Sequence, residues 1–471
     1  MSLHSRQYLV GPQPRLVRPD WQTRHLDDGL ILSHCPTLPV ADTAHGLILG
    51  DPLPTVEADA GPETWSGRWI RIQAGVLRLD SGGLLACFMR QTPAGRWASS
   101  SLEVLRTLDP EQPPHADRLE RNWRLMDWYP PPHSAIEGVT RLLASQTLVL
   151  ATGERGRSSL PQPQPDDRDR STGRVRSRLV NAIAAASDLA AADGGRVWIG
   201  LTGGRDSRLL LAAAVDAGID VMTHTFIRPQ TTQGDRDLPP KLAAAAGYEH
   251  VFISLEGVDA QRAADFDTHT SGGFSGGPQL QYSSGALEQV EASSVMLEGG
   301  CFEMARGYYY DRLPRDVGGD PGSAADVVLE KFPSQRPAGV RAWADWAFAD
   351  PDDGLDWRDR FYLEQRVGGW LSAGLQGFDI SGRRSLHIGN DRGILGDLLG
   401  FPPAERRASS HQAALVELMA PALAAFPYNP GSGSGKGKGG TKAASDGSKA
   451  SGTGGPRRRG LLSRLSRGRG S

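Results

Sequence analysis

Residues 196–218 read RVWIGLTGGRDSRLLLAAAVDAG, and the fold class turns on them. RVWIGL (Arg196 to Leu201) is a buried-strand run, and SRLLLAAAVDAG (Ser207 to Gly218) is a helix. Between them stands Leu201-Thr202-Gly203-Gly204-Arg205-Asp206-Ser207, at the carboxyl end of a strand, where α/β sheets hold ligands. Two consecutive glycines let backbone N–H groups turn toward one concave point, a nest for phosphate oxygens. The following helix aims its N-terminal N–H groups and positive dipole end at the same point. Thr202 and Ser207 add hydroxyl donors, and Asp206 is placed to hold Mg²⁺ against the phosphates. No Gly-Lys-Ser/Thr follows, so this is not a Walker A loop. The plainer alternative is a glycine-rich connection with ordinary N-capping.

Working outward, Val175, Leu179, Val180, Ile183 and Leu189 lie at helical spacing before this stretch. After it come VMTHTF (Val221 to Phe226, strand), LPPKLAAAAG (Leu238 to Gly247, helix), HVFISL (His250 to Leu255, strand) and SSVMLEGG (Ser293 to Gly300, strand). Such alternation predicts an α/β, parallel, doubly wound sheet over 173–430, helical beyond Asp311. Upstream, RGRSSLPQPQPDDRDRST (155–172) cannot bury a face and reads as an exposed linker. Residues 1–154 read as short strands with turn signals. In GRWIRIQ and VLRLDSGGLLACFMR, Ile70, Ile72, Leu77 and Leu79 alternate with arginines, and Asp80 to Gly83 supply a turn, so a half-buried hairpin is expected.

The chain has 471 residues, 52 Lys+Arg against 54 Asp+Glu, and three cysteines, Cys35, Cys87 and Cys301. That cysteine count makes neither a disulfide framework nor a metal cage. With no signal-peptide layout and no apolar run of membrane-spanning length, a cytoplasmic protein is expected. Residues 431–471 carry four Lys and six Arg against one Asp, a net +9, leaving −11 on the rest. An acidic body argues against a specific nucleic-acid-binding core. The tail reads as disordered and basic, able to attract an anionic surface weakly through PRRRGLLSRLSRGRGS.

TGGRDS resembles the SGGxDS pyrophosphate loop of asparagine synthetase-type enzymes, with Thr202 for the Ser. LEGGCFEMARGYYY (Leu297 to Tyr310) resembles that family's second motif, with Glu303, Gly307 and Tyr308 aligned. The stretch DWRDRFYLEQR (Asp356 to Arg366) resembles the helical region that shapes its acceptor pocket. The resemblance spans about Gly173 to Pro430 and implies a PP-loop, ATP-binding domain that activates a carboxylate as an acyl-adenylate. An amine then attacks to form an amide. The carboxylate would be a small molecule or a peptide, and the cofactors ATP and Mg²⁺. β-Lactam synthetases and peptide macrolactam cyclases share this architecture. The residues implied are Leu201, Thr202, Gly203, Gly204, Arg205, Ser207, Phe226, Gly299 and Gly300 for the nucleotide, Asp206 for the metal, and Asp206, Glu303 and Arg306 for catalysis.

Departures from the family pattern are specific. The first section resembles the family's amidotransferase half, yet Ser2 stands where its glutaminase cysteine would be, so no glutamine hydrolysis is expected. Cys35 and Cys87 read as buried strand residues. Phe302 replaces an acidic Mg²⁺ ligand, and no lysine lies between Lys331 and Lys436, so Arg306 or Arg366, or Lys436 or Lys438 reaching back from the tail, would take the place of the family's loop lysine. Asp235 and Asp237 read as caps or as neighbours of the nucleotide, His269 as a turn or substrate contact, and His224 as a satisfied core histidine. An ammonia-using asparagine synthetase, an intramolecular cyclase and a nucleotide-binding pseudoenzyme are the alternatives.

Overall fold

Period-two burial marks the hairpin of the first half. In β6 (Ser66–Gln73) and β7 (Val76–Leu79), Ile70, Ile72, Leu77 and Leu79 are buried while Arg71 and Arg78 reach outward. They pair antiparallel with Gln73 opposite Val76. The turn is therefore Ala74-Gly75, at φ 47° and 71°, the left-handed pair that a two-residue hairpin demands. Asp80 to Gly83 do something else. The buried Asp80 carboxylate accepts from the N–H groups of Gly82, Leu84 and Leu85 as the chain leaves this sheet.

The computed structural model describes residues 5–27, 29–55, 61–108, 119, 125–255, 257, 259–271, 273–275, 285–350 and 354–428. Ser2 and the tail 431–471 lie outside them. One six-stranded sheet joins β1 (Tyr8–Gly11), β2 (Gln22–His25), β3 (Ile31–His34), β8 (Phe88–Thr92), β9 (Gly95–Ser99) and β10 (Val139–Arg141) in the order β10-β8-β9-β1-β3-β2. A second joins β4 (Val40–Thr43), β5 (Gly46–Leu53), β6, β7, β11 (Gln146–Val149) and β12 (Arg155–Arg157) in the order β12-β11-β7-β6-β5-β4. Tyr8, Val10 and Leu32 from the first meet Leu49, Ile70, Leu77 and Leu148 from the second in one core. Cys35 and Cys87 flank strands rather than lying within them, and both are buried. Burial pushes the Cys87 thiol up to about 12, so it stays protonated and inert.

The stretch read as an exposed linker is partly structured. Arg155–Arg157 pairs with β11, Leu160 is buried, and helix α2 (Arg168–Ala192) already begins before Thr172, capped by Asp167. Arg155-Gly156-Arg157 is too short and too polar to show a period, which does not prevent a strand from adding at a sheet edge. Backbone hydrogen bonds do not depend on side-chain type.

Five parallel strands follow: β13 (Val197–Gly200), β14 (Val221–Ile227), β15 (Glu249–Ser254), β16 (Val295–Leu297) and β17 (Arg384–Leu386), ordered β15-β14-β13-β16-β17. Val197 and Ile199 pack on one face with α2, α3 (Asp206–Ala217) and α4 (Gln233–Ala246). Trp198 and Met296 pack on the other with Phe361, Tyr362, Leu363 and Leu375. Cover on both faces is what a parallel sheet requires. The region beyond Asp311 is helical except for β17, which the sequence reading missed. Strand order reverses at β13, where β14 and β15 lie to one side and β16 and β17 to the other. A crevice opens at the strands' carboxyl ends there.

Candidate functional site

That crevice is a cleft of ≈ 480 Å³, within the range of small-molecule sites. Leu201, Thr202, Gly204, Arg205, Asp206 and Ser207 line it from the loop between β13 and α3. Phe226 and Arg228 come from β14 and its exit, and Glu298, Gly299, Glu303 and Arg306 from the β16 side. The three residues expected to be catalytic therefore share one cavity with most of those expected to bind nucleotide. Gly203 and Gly300 do not line it, and Gly300 packs against His387.

The loop is held by its own hydroxyls. Ser207 Oγ accepts from Thr202 N at 3.0 Å, and Thr202 Oγ1 accepts from Gly204 N at 3.1 Å. Gly203 N donates to Asp235 Oδ1 at 2.9 Å. The glycine N–H groups expected to receive phosphate oxygens are thus engaged within the protein, and Asp235 already places an anion against Gly203. What stays open is the start of α3. Helices α2 and α4 are capped by Asp167 and Thr232, whereas α3 has Arg205 at its N-cap position and no capping side chain. An uncapped N-terminus in a cleft presents N–H groups and the positive dipole end to an anion.

Space at the loop is set by neighbours. Gly204 takes no left-handed φ, and a Cβ there would meet only Thr202 Oγ1, at 3.0 Å, so its bare backbone serves the cleft. A Cβ on Gly299 would come within 3.1 Å of Asp206 Cβ and Ser207 N, so glycine lets β16 approach the start of α3.

Asp206 sits inside the site rather than on its rim. Burial raises its carboxyl above the usual range, Arg306 opposes that shift, and Glu303 adds to it. Arg306 Nη2 donates to Asp206 Oδ2 at 2.7 Å, and Gln412 Nε2 donates to Oδ1 at 3.1 Å. The same guanidinium lies 3.5 Å from Glu303 Oε1, while Tyr362 OH donates to Glu303 Oε2 at 3.2 Å. Asp206 therefore does not fit the expected part of a Mg²⁺ ligand. Both oxygens accept hydrogen bonds, and a cation already bridges it to Glu303. Among the described residues no group of three or more His, Cys, Asp or Glu is arranged to hold a metal. Phe302 is fully buried in the core, so the position of the family's second acid faces away from solvent.

Of the two arginines expected to replace the loop lysine, Arg306 reaches the cleft. Arg366 instead lies over the Trp370 ring at 4.0 Å. Arg205 lines the cleft with its guanidinium over the Tyr428 ring at 4.2 Å, and Arg208 covers the same ring at 3.9 Å. Asp235 faces the cleft, whereas Asp237 accepts from Gln233 on the exposed side of α4. His269, the last residue of α5 (Ala260–His269), lines a separate small cavity with Trp128 and Arg141.

His224 and Glu298 escaped the sequence reading as site residues. His224 is completely buried, yet neither ring nitrogen has a hydrogen-bond partner among the described residues. It is no satisfied core histidine, and Glu298 Oε1 lies 3.5 Å from its Nε2. The available signal was positional. Glu298 is a polar residue directly after a strand, and His224 is a polar residue of β14 opposite Gly200, the last residue of β13, beside a sequence expected to bind ligand.

No helix among the described residues is long and apolar enough to cross a membrane. No family model and no curated protein matches the sequence. Among solved structures the chain is similar to the NMN synthetase from Francisella tularensis, at 18% identity and a TM-score of 0.20. The overlap covers 30% of this chain and 59% of that one, less than two thirds of that enzyme's length. An overlap of this extent carries no argument about function.

Proposed function

We propose that the chain is an ATP-dependent, AMP-forming amide ligase of the asparagine synthetase type, acting without glutamine hydrolysis. One observation supports this above the rest: the uncapped start of α3, Arg306 and the Asp206–Glu303 carboxylates converge in one cleft at the reversal of strand order. In the first step a substrate carboxylate oxygen attacks the α-phosphorus of ATP. The bond to the β-phosphate oxygen breaks, and pyrophosphate departs with that electron pair. Charge growing on the phosphates is met by the α3 N-terminus and by Arg306, both fixed before the reaction. In the second step an amine attacks the acyl carbon and AMP leaves. Glu303, a third exposed and oriented by Tyr362, takes the amine proton. Positioning and electrostatics carry both steps.

A second reading, nucleotide binding without turnover, is favoured by the engagement of Asp206 and the burial of Phe302. Pyrophosphate release from ATP, measured with amino-acid and peptide pools, separates the two. Release dependent on one carboxylate supports the ligase. ATP binding without release for any carboxylate supports the second reading.

A further inference from the structure

Glu298 reaches over the end of the central strand because that strand ends in glycine. His224 is on β14 and Glu298 directly follows β16, so β13 lies between them. A Cβ on Gly200 would stand 2.2 Å from Glu298 Oε2 and 2.8 Å from its Cδ. Removing that one side chain lets two residues from non-adjacent strands meet above a third. Their 3.5 Å separation is too long to satisfy either group. His224 Nδ1 and Nε2 and Glu298 Oε1 all lack hydrogen-bond partners among the described residues. A buried polar atom left so is costly, and all three belong to side chains that line the cleft.

Their place along the cleft indicates what they lack. At one end lie the loop hydroxyls and the start of α3, suited to anions. On the β14 and β15 side Phe226 and Leu255 form an apolar ledge, suited to a flat base. A nucleotide runs phosphate, sugar, base, so the sugar falls between, over Gly200. Vicinal hydroxyls offer two donors, and an ionised carboxylate offers only acceptors. Carboxylates take ribose hydroxyls in other α/β nucleotide sites.

We propose that Glu298 is the ribose-reading residue of this cleft, accepting hydrogen bonds from the 2′- and 3′-hydroxyls. The inference rests on the nucleotide-binding reading above and goes beyond it by assigning sugar selectivity to one side chain.

The test is calorimetric titration of the full chain with ATP and with 2′,3′-dideoxyATP, repeated on Glu298→Ala and Gly200→Ala. The second variant keeps both polar groups but displaces the carboxylate by its Cβ. Thermal unfolding of each confirms that it folds. The unaltered chain should prefer ATP by about tenfold or more, the loss of two charge-assisted hydrogen bonds. Both variants should bind the two nucleotides alike, at the dideoxy affinity. Equal binding of ATP and dideoxyATP by the unaltered chain, or retained preference in Glu298→Ala, overturns the ribose assignment and leaves nucleotide binding standing. Failure of the unaltered chain to bind any adenine nucleotide overturns the nucleotide reading itself.

Discussion

Replacing Arg306 with methionine tests whether its guanidinium holds a buried carboxylate in its charged form. Asp206 is 15% exposed and Arg306 10%, so neither is well screened by water. In the intact protein burial already raises the Asp206 pKa, and Arg306 is the largest opposing influence. Without it the folded-state pKa climbs further. A carboxyl with a raised folded-state pKa contributes fully below its unfolded value of about 3.9 and loses that contribution as pH rises through the folded one. The stability difference between the intact protein and Arg306→Met should therefore grow with pH. Removing one member of a buried pair costs about 3–5 kcal/mol. Asp206 opens onto a cleft, so about 2 kcal/mol is expected at pH 8, shrinking to under about 1 near pH 5. Every further tenfold weakening of the Asp206 acid supplies about 1.4 kcal/mol of that difference. Urea unfolding of both proteins at pH 5 and pH 8 measures it. A penalty equal at the two pH values would mean that Arg306 acts by packing alone, and the electrostatic account of the site fails.

Gly204→Val should abolish adenine-nucleotide binding while leaving the thermal midpoint within a few degrees, because its side chain enters the cleft; unchanged affinity by calorimetry counts against the phosphate end. Burial lowers His250, His387 and His411 to about 4, so the unfolded chain binds more protons between that value and about 6.5, and stability falls as pH drops through this window. Differential scanning calorimetry should show a falling midpoint, with a shallower slope in His411→Gln; a flat profile contradicts it. Mg²⁺ titrated alone should give no binding heat, since Arg306 and Gln412 occupy Asp206, and a stoichiometric signal would restore a metal site. Glutamate release from glutamine should stay at background with ATP present, as the family's glutaminase cysteine position carries Ser2.

What the sequence revealed follows from where information is local. The strand–TGGRDS–helix unit was legible because β13 is apolar throughout and the helix begins within the same few residues. Strand β17 was not, because Arg384-Ser385-Leu386 is too short to show a period and is a strand only through its pairing with β16. The hairpin at β6 and β7 was legible, but its turn at Ala74-Gly75 was hidden by the louder Asp-Ser-Gly-Gly run. In the site, Asp206, Glu303 and Arg306 could be picked by motif. Gln412, 206 residues from its partner, could not. The Glu298–His224 meeting depends on strand order, which no single stretch encodes. The paired glycines were found, yet the partner of Gly203 could not be seen, because Asp235 arrives from another helix.

The joint between the β-rich half and the sheet that bears the cleft combines apolar packing, in which Leu53, Leu84 and Leu143 enter the cores of that sheet, with buried charges. Arg68 grips Asp379 through two hydrogen bonds at 2.7 and 2.8 Å, Asn390 donates to Asp80, and Arg392 meets Glu63. The sequence separations are 311, 310 and 329 residues. At about 5–20 residues per second on the ribosome, the early partners wait roughly 15–60 seconds for the late ones. During that interval an apolar joint would stand open as a sticky face. Arg68, Asp80 and Glu63 instead stay hydrated until Asp379, Asn390 and Arg392 emerge. The charged part of the joint stays hydrated during that interval, and it becomes a buried lock only after residues 379–392 have been made.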